Sequence, residues 1–497
     1  MTHPSRVLEE TEPVMLEAVA SLLPQATVEV DRIRAVFESQ RANRWNLSRS
    51  TPAERIARLR KLREAIIARR EQLAEAIHQD FRKPAMEVEL TEIHPTLEEL
   101  NHTVKHLKSW MKPKRVATPL TLKGASSHVR FEAKGVVVIL SPWNYPFQLL
   151  AAPLIAAIAA GNAVMLKPSE KTPHTSRFLA KLVRDVYPEN EVAVFEGGAE
   201  VAEALLQHPF DHFFFTGNPN IGRKVMMAAT KFLSSVTLEL GGKSPVIIDE
   251  SANLKAAAEA LAWGKFVNAG QTCVAPDYIY VPASKQQAFL EAFKAVLTRF
   301  YGETEAERQA SPDFARVVDP AAWRRLKEVL DRTVAAGAKV EAGGTADGPS
   351  RYVSPTVLSG VTTRMPIMEG EIFGPVLPVL TYERREEVYA HINEGGKPLA
   401  LYVFSQDSKM VEEVLQHTTS GGVVVNNVLI HVANPNLPFG GVGMSGLGNY
   451  HGHYGFKTFS HERAVMVQWM KSLAAVFFPP YRGKAQEWAS RATRMLE

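Results

Sequence analysis

Gly135-Val136-Val137-Val138-Ile139-Leu140 runs on with no polar side chain to break it. A strand with one solvated face alternates polar and apolar residues, so a continuous β-branched run belongs to a strand covered on both faces. A helix-like segment follows, then Ala163-Val164-Met165-Leu166-Lys167 as a second such strand. Thr175 to Val186 reads as helix, Val192 to Glu196 as strand, Ala199 to Gln207 as helix and Asp211-His212-Phe213-Phe214-Phe215 as strand. Strands alternating with helices predict an α/β fold with a doubly wound parallel sheet. Val246-Ile247-Ile248-Asp249, Tyr278-Ile279-Tyr280-Val281 and Ala400-Leu401-Tyr402-Val403-Phe404 predict a second α/β unit, reaching to about residue 420.

Upstream of this alternation the signals are helical. Thr51-Pro52-Ala53-Glu54 offers an N-cap, a proline at the first helical position and a capping-box glutamate. Ile56, Leu59, Leu62, Ile66 and Ile67 then recur at helical spacing, and helices are expected over Glu71 to Asp80 and Glu87 to Lys108. Lys112 to Gly135 changes to alternation and turn residues, which predicts a β-hairpin. Residues 1–36 show weak apolar patterning and read as an extension ahead of the main fold.

Bulk properties narrow the function. At 497 residues the chain is long enough for two or three domains. Net charge is only +4, from 57 basic and 53 acidic residues, too little over this length to indicate a nucleic-acid partner. Basic residues gather at Arg55 to Arg70 and Lys112 to Arg115, read as a solvated helix face and a loop. The acidic N-terminus lacks a signal-peptide core. The longest apolar run, Leu149 to Ala160, contains Pro153 and is too short to span a bilayer. Ser472 to Tyr481 is apolar but meets Pro479-Pro480 and then charge, so it is packed or interfacial at most. A soluble, cytoplasmic protein with no integral membrane segment is expected. The single cysteine, Cys273, excludes an intrachain disulfide.

Several local patterns carry chemistry. Cys273 sits in Asn268-Ala269-Gly270-Gln271-Thr272-Cys273, among small and polar residues, and is either a reactive thiol or an inert buried one. Phe215-Thr216-Gly217-Asn218-Pro219-Asn220-Ile221-Gly222 is a strand-to-helix turn whose amides can hold a phosphate or serve only as a turn. Lys167 and Glu170 close a strand, where a doubly wound sheet binds ligand, although an exposed ion pair reads the same way. Glu239 lies inside Val236-Thr237-Leu238-Glu239-Leu240-Gly241-Gly242-Lys243, either buried with a raised pKa or facing solvent from an edge strand. Asn144, in Pro142-Trp143-Asn144-Tyr145-Pro146, can donate its amide to an oxyanion. His208 and His212 are separated by Pro209, and His451 and His453 lie in a glycine-rich loop, so no metal site is expected.

Taken in order, Asn144, Lys167 with Glu170, the Gly217/Gly222 turn, Glu239 before Gly241-Gly242, Cys273, and Glu371-Ile372-Phe373-Gly374-Pro375 resemble the aldehyde dehydrogenase superfamily. The resemblance runs roughly from Thr51 to His461; Tyr450-His451-Gly452-His453-Tyr454-Gly455-Phe456 and Ser460-His461 are most similar to its class 3 branch, which includes fatty- and aromatic-aldehyde enzymes. It implies an NAD(P)-binding domain from 37–111 and 136–239 and a catalytic domain over 240–424. It also implies a bridging and oligomerisation region from 112–135 and 425–470, a tail over 471–497, and a homodimer. Cys273 would be the nucleophile, Asn144 with the Cys273 amide the oxyanion donors, and Glu239 the base that hydrolyses a thioester. Lys167 and Glu170 would meet the adenosine ribose, Gly217 to Gly222 the pyrophosphate, and Glu371 with Phe373 the nicotinamide end. Glu170 would repel a 2′-phosphate, so NAD is expected to be preferred, with NADP accepted in some relatives. Pro219 stands where the family often has Thr, which removes a donor from the helix start.

Trp143, Tyr145 and Phe147 suggest an aromatic-lined tunnel for aliphatic or aromatic aldehydes, with Phe477-Phe478 placed to close its mouth. Two other functions compete with hydrolytic oxidation. One passes the thioester to coenzyme A, which makes Glu239 unnecessary. The other keeps the fold as a catalytically silent binding or scaffold protein.

Overall fold

Val136–Leu140 lies between Ala163–Lys167 on one side and His212–Thr216 on the other, all three parallel. In a computed structural model, residues 12–470, 478–479 and 483–494 are described. Val192–Val194 extends the sheet beyond Ala163–Lys167, and Ser235–Glu239 extends it beyond His212–Thr216. The chain therefore reverses its winding direction beside its first strand, which is the doubly wound arrangement. Gly446–Leu447 closes one edge as an antiparallel strand against Leu238 and Glu239. Every residue of Val136–Leu140, Ala163–Lys167 and His212–Thr216 is buried, as their unbroken apolar runs require.

The helix Gln148–Ala160 is apolar around its whole circumference and all of its residues are buried. It packs among the helices Pro52–Ala68 and His94–Trp110, so no face is left for solvent. Arg55 belongs to this packing and is not part of a solvated face. Its guanidinium donates to the carbonyls of Ala159 at 3.0 Å and Ser48 at 2.8 Å and to Ser50 Oγ at 2.9 Å. Those bonds satisfy carbonyls at the ends of two helices, Ala159 in Gln148–Ala160 and Ser48 in Glu12–Ser48, which explains why a basic residue on this helix faces inward. The Thr51–Glu54 capping box forms as its spacing predicts.

Glu87 to Lys108 is not one uninterrupted helix. Ala85–Val88 is a single turn, Glu89–Ile93 is a π-helical turn, and His94–Trp110 continues as an α-helix. The residues expected as an N-terminal extension also differ from that reading. Glu12–Ser48 is one helix that crosses the boundary drawn at residue 36, and Ile33 and Val36 are buried in the core beneath the first sheet.

The second sheet has the order Lys339–Ala342, Thr356–Ser359, Val376–Tyr382, Tyr278–Pro282, Pro245–Ile248, Ala400–Phe404 and Gly422–Val425. Its pairs are parallel except the first. The expected hairpin joins a third sheet: Lys114–Val116 and Ala125–Ala133 pair antiparallel, and Ser460–Gln468 adds a long strand along the latter. No helix among the described residues is long and apolar enough to cross a membrane. Phe477 lies outside the described residues, and Phe478 is exposed.

Phe147 is a core residue, not a tunnel wall. It is 1% exposed and packs in the cluster that joins Gln148–Ala160 to the sheet. Being first in line with that helix, its ring is carried inward with the helix's apolar surface. Phe147→Ala is expected to lower unfolding stability by about 3–5 kcal/mol, the usual cost of emptying a buried aromatic site. A fall in the urea midpoint without a change in slope is the readout.

Candidate active site

The reversal in strand order opens a crevice beyond the carboxyl ends of Val136–Leu140 and His212–Thr216. A cavity of about 750 Å³ occupies it, and its lining includes Asn144, Lys167, Gly217, Glu239, Cys273 and Glu371. Those residues come from strand ends and loops of both large sheets.

Cys273 is half-buried and is held by a loop of unusual backbone. Asn268, Ala269 and Gly270 are consecutive left-handed residues, with φ of 57°, 52° and 72°. For Asn268 and Ala269 this costs about 1–2 kcal/mol each. Side chains hold it in place. Asn268 Nδ2 donates to the Asn144 carbonyl at 2.8 Å and the Gln271 carbonyl at 3.1 Å. Gln271 Nε2 donates to the carbonyls of Asn268 and Arg316, and its Oε1 accepts from the Val318 amide. Gly270 is required by space as well as by φ, since a Cβ there would sit 2.4 Å from the Gly374 carbonyl oxygen. Asn144 Nδ2 spends one hydrogen bond on the Gln271 carbonyl at 3.1 Å, leaving a second N–H.

Glu239 ends its strand buried at 3% exposure, with neither carboxylate oxygen hydrogen-bonded. Its backbone carbonyl instead accepts from the Gly217 amide at 2.9 Å, which ties the base of the Gly217 turn to Glu239. Burial holds the Glu239 carboxyl well above the usual range. Burial likewise raises Glu371 to about 8, with Asp277 adding repulsion. The Cys273 thiol is pushed up to about 12 by burial and by the nearby Glu371 and Glu239. A thiolate at neutral pH is therefore not the resting state of this site without further positive charge, contrary to the simple expectation for a reactive cysteine.

Lys167 Nζ and Glu170 Oε2 form a 3.0 Å ion pair at the rim. Burial tends to raise the Glu170 carboxyl, but backbone hydrogen bonding and the Lys167 ammonium outweigh it and hold it below its ordinary value. Gly217 faces the cavity, and a Cβ there would meet the Phe215 ring at 2.5 Å. Gly222 does not face the cavity; a Cβ there would meet Leu240 at 2.8 Å, so it is a packing position. At this helix start few amides remain free. Pro219 has none, Asn218 accepts from Ile221, and Gly222 donates to the Asn218 carbonyl. Phe373, at φ 48°, packs edge-on against Trp143 with ring centroids 5.4 Å apart.

Trp143 lines the cavity. Tyr145 lies behind it, buried, with its hydroxyl 2.6 Å from Thr272 Oγ1. It therefore braces the residue beside Cys273 and is not a wall of the tunnel. Two lining residues escaped the sequence reading: Ser141 Oγ and Thr216 Oγ1 are buried and unpartnered, at the ends of the two strands that flank the crevice. Their only sequence signal is position, directly at the close of an apolar strand. Phe439 and Tyr450, from the stretch after the second sheet, also line the cavity. Four orphaned polar oxygens in one cavity, on Ser141, Thr216 and Glu239, fit a polar ligand and do not fit a site closed by the protein alone. Among the described residues no group of three His, Cys, Asp or Glu side chains is placed to hold a metal ion.

The aldehyde dehydrogenase family model matches residues 2–465. The chain is 40% identical over 439 residues to human aldehyde dehydrogenase family 3 member B1, covering 88% of this chain and 92% of that one. It is 42% identical over 414 residues to a rat aldehyde dehydrogenase described as dimeric and NADP-preferring, covering 83% and 90%. A solved structure of a Staphylococcus aureus AldH in a substrate-bound state superposes with a TM-score of 0.88 at 42% identity, covering 92% of this chain and 99% of that one. The chain therefore belongs to the aldehyde dehydrogenase family, whose members oxidise aldehydes with NAD(P).

Proposed function

We propose that this enzyme oxidises a medium- or long-chain aliphatic or an aromatic aldehyde to its carboxylic acid through a covalent intermediate on Cys273, with Glu239 as the hydrolytic base. The observation that carries this reading is Glu239: a buried carboxyl with both oxygens unpartnered, lining the same cavity as the only thiol. Cys273 loses its thiol proton to solvent water, the thiolate Sγ adds to the aldehyde carbon, and the carbonyl electrons move to oxygen. The Asn144 side-chain amide and the Cys273 N–H donate to that oxyanion, and losing one such donor costs about 10²–10³ in rate. Collapse expels hydride from the same carbon and leaves a thioester on Cys273. A nicotinamide cofactor held by Glu371 and Phe373 would supply the hydride acceptor and a positive charge that favours the thiolate. Glu239 then takes a proton from water, the resulting hydroxide attacks the thioester carbon, and the acid leaves as the Cys273 thiol is regenerated.

Lys167, Glu170 and Gly217 would hold the adenosine and pyrophosphate end, and Glu371 with Phe373 the nicotinamide end. Trp143, Phe439 and Tyr450 make the cavity wall aromatic, which suits an apolar aldehyde tail. The three-stranded arm leaves Val116, Leu120 and Met466 exposed, which supports a homodimer joined through it. A cytoplasmic location accords with the lone free thiol. Hydrolysis is favoured over transfer to coenzyme A because a base with free oxygens has work only if water is the acceptor.

Cys273→Ala is expected to abolish NADH formation with benzaldehyde or hexanal. Glu239→Gln should keep a first-turnover burst of NADH equal to the site concentration, while the steady-state rate falls by about 10²–10⁴-fold. Stopped-flow absorbance separates the two, and a steady state unaltered in Glu239→Gln, or its full recovery only with added coenzyme A, rejects the hydrolytic mechanism.

In the cofactor-free enzyme, a thiol raised to about 12 is less than fully ionised at every pH up to that value. Alkylation by iodoacetamide should accelerate continuously from pH 7 to 10, with no plateau near the ordinary thiol value of about 8.5. Cys273 is the only cysteine, so mass spectrometry of the intact chain reads it without ambiguity.

Catalytic efficiency is expected to be higher with NAD than with NADP. Glu170→Gln should narrow the ratio by roughly fivefold, equivalent to ~1 kcal/mol of repulsion at a partly exposed site. A wild-type enzyme that prefers NADP, as the rat relative's description states of that protein, would contradict this.

A further inference from the structure

The segment from Lys83 to Glu92 reaches both halves of the catalytic site without lining its cavity. Lys83 Nζ and Glu92 Oε1 are 2.9 Å apart, and both side chains are wholly buried. Glu92 Oε2 accepts from the backbone amides of Phe147 at 2.9 Å and Gln148 at 3.1 Å. Those amides open the helix Gln148–Ala160, whose own N-terminal residue supplies no side-chain cap. Asn144 stands three residues before the first of them. Lys83 Nζ also lies 4.0 Å from the centre of the Tyr145 ring, and the Tyr145 hydroxyl bonds Thr272, the neighbour of Cys273. From the same segment, Glu87 Oε2 accepts from the Asn268 amide at 2.9 Å, at the start of the left-handed loop.

We propose that Glu92, paired with Lys83, is a positioning residue: it fixes the Asn144 loop through the Phe147 and Gln148 amides and, through Lys83 and Tyr145, the Thr272-Cys273 peptide. The proposal rests on the roles assigned above to Asn144 and Cys273. Its physical basis is that a wholly buried ion pair is a poor way to gain stability alone, since apolar residues of equal volume usually do as well or better. What a carboxylate adds is direction. One oxygen receives two amides at a helix start, where the dipole favours negative charge, and the other holds a cation beneath an aromatic face. The π-helical turn Glu89–Ile93 inserts one residue into the helical repeat just where Glu92 must turn inward, and such turns are often found at functional sites. An oxyanion donor displaced by a fraction of an ångström loses most of its effect, so the brace acts on rate and leaves cofactor affinity alone.

The test is a double-mutant comparison on the full-length enzyme with NAD and benzaldehyde. Single-turnover NADH formation is measured for wild type, Glu92→Gln, Asn144→Ala and the double variant, alongside KM for NAD. Glu92→Gln is expected to slow NADH formation roughly 10–100-fold with KM for NAD within about twofold, and to slow Asn144→Ala by less than about threefold further. An equal loss in both backgrounds, or a matching rise in KM for NAD, marks a general structural role and overturns the proposal, as does no loss at all. A full rate in Asn144→Ala alone overturns the oxyanion assignment, and this proposal with it, in a variant that leaves Glu92 intact. Should Glu92→Gln not fold, Tyr145→Phe removes only the hydroxyl bonded to Thr272. A several-fold slower NADH formation with unchanged KM for NAD supports the brace, and a wild-type rate overturns it.

Discussion

The burial of one thiol and two carboxyl groups around a single crevice is the constraint from which the rest of this site follows. Burial is the first cause of the raised pKa at Cys273, Glu239 and Glu371 alike. At Cys273 the charges of Glu371 and Glu239 add to that effect. A positive charge brought into the cavity lowers all three at once, and its effect is larger there than in water. The ionisation of these groups therefore depends on the charge that a bound ligand brings.

The fold builds that crevice from strand order and glycine. Winding reverses between Val136–Leu140 and His212–Thr216, so the loops that follow them diverge and leave a gap lined by Ser141 and Thr216 on opposite sides. Glu239 is delivered by the next strand, and its carbonyl is bound to the Gly217 amide, so the turn and Glu239 are one hydrogen-bonded unit. Gly241 follows two residues later, where a Cβ would sit 2.1 Å from Glu371 Oε2. Any side chain at that point would drive the second carboxylate out of the cavity. The strand-end acid and the bare backbone after it thus depend on each other.

How much of this was legible in the sequence follows from what kind of force sets each feature. The strands were legible because burial on both faces leaves an unbroken apolar run, as at Val136–Leu140. Glu239 stood out for the same reason, as an acid inside such a run. Arg55 and Phe147 depart from their sequence readings because a local cluster of basic or aromatic residues does not say which distant neighbours each member meets. Arg55 turns inward to the Ala159 carbonyl, more than a hundred positions away, and Phe147 is drawn into a core that the local pattern does not define. Ser141 and Thr216 gave no signal, since a lone hydroxyl at a strand end is common and only three-dimensional closure leaves it orphaned. The π-helical turn at Glu89–Ile93 was invisible because one inserted residue barely alters an apolar periodicity while rotating everything after it.

The left-handed run at Asn268, Ala269 and Gly270 shows how such non-local forces are combined. Two non-glycine residues there cost about 1–2 kcal/mol each, which no local preference offsets. The compensation comes from distant partners: the Asn144 carbonyl, the Arg316 carbonyl, the Val318 amide and Glu87, each hydrogen bond contributing about 1 kcal/mol. A relaxed loop would need none of them and would be bound to nothing. Because this loop is stable only when those partners are in place, the position of Cys273 is made conditional on the correct placement of the Asn144 loop and of the Lys83–Glu92 segment. Backbone strain at this point converts independent contacts into one cooperative arrangement, so Cys273 and the Asn144 amide are placed together.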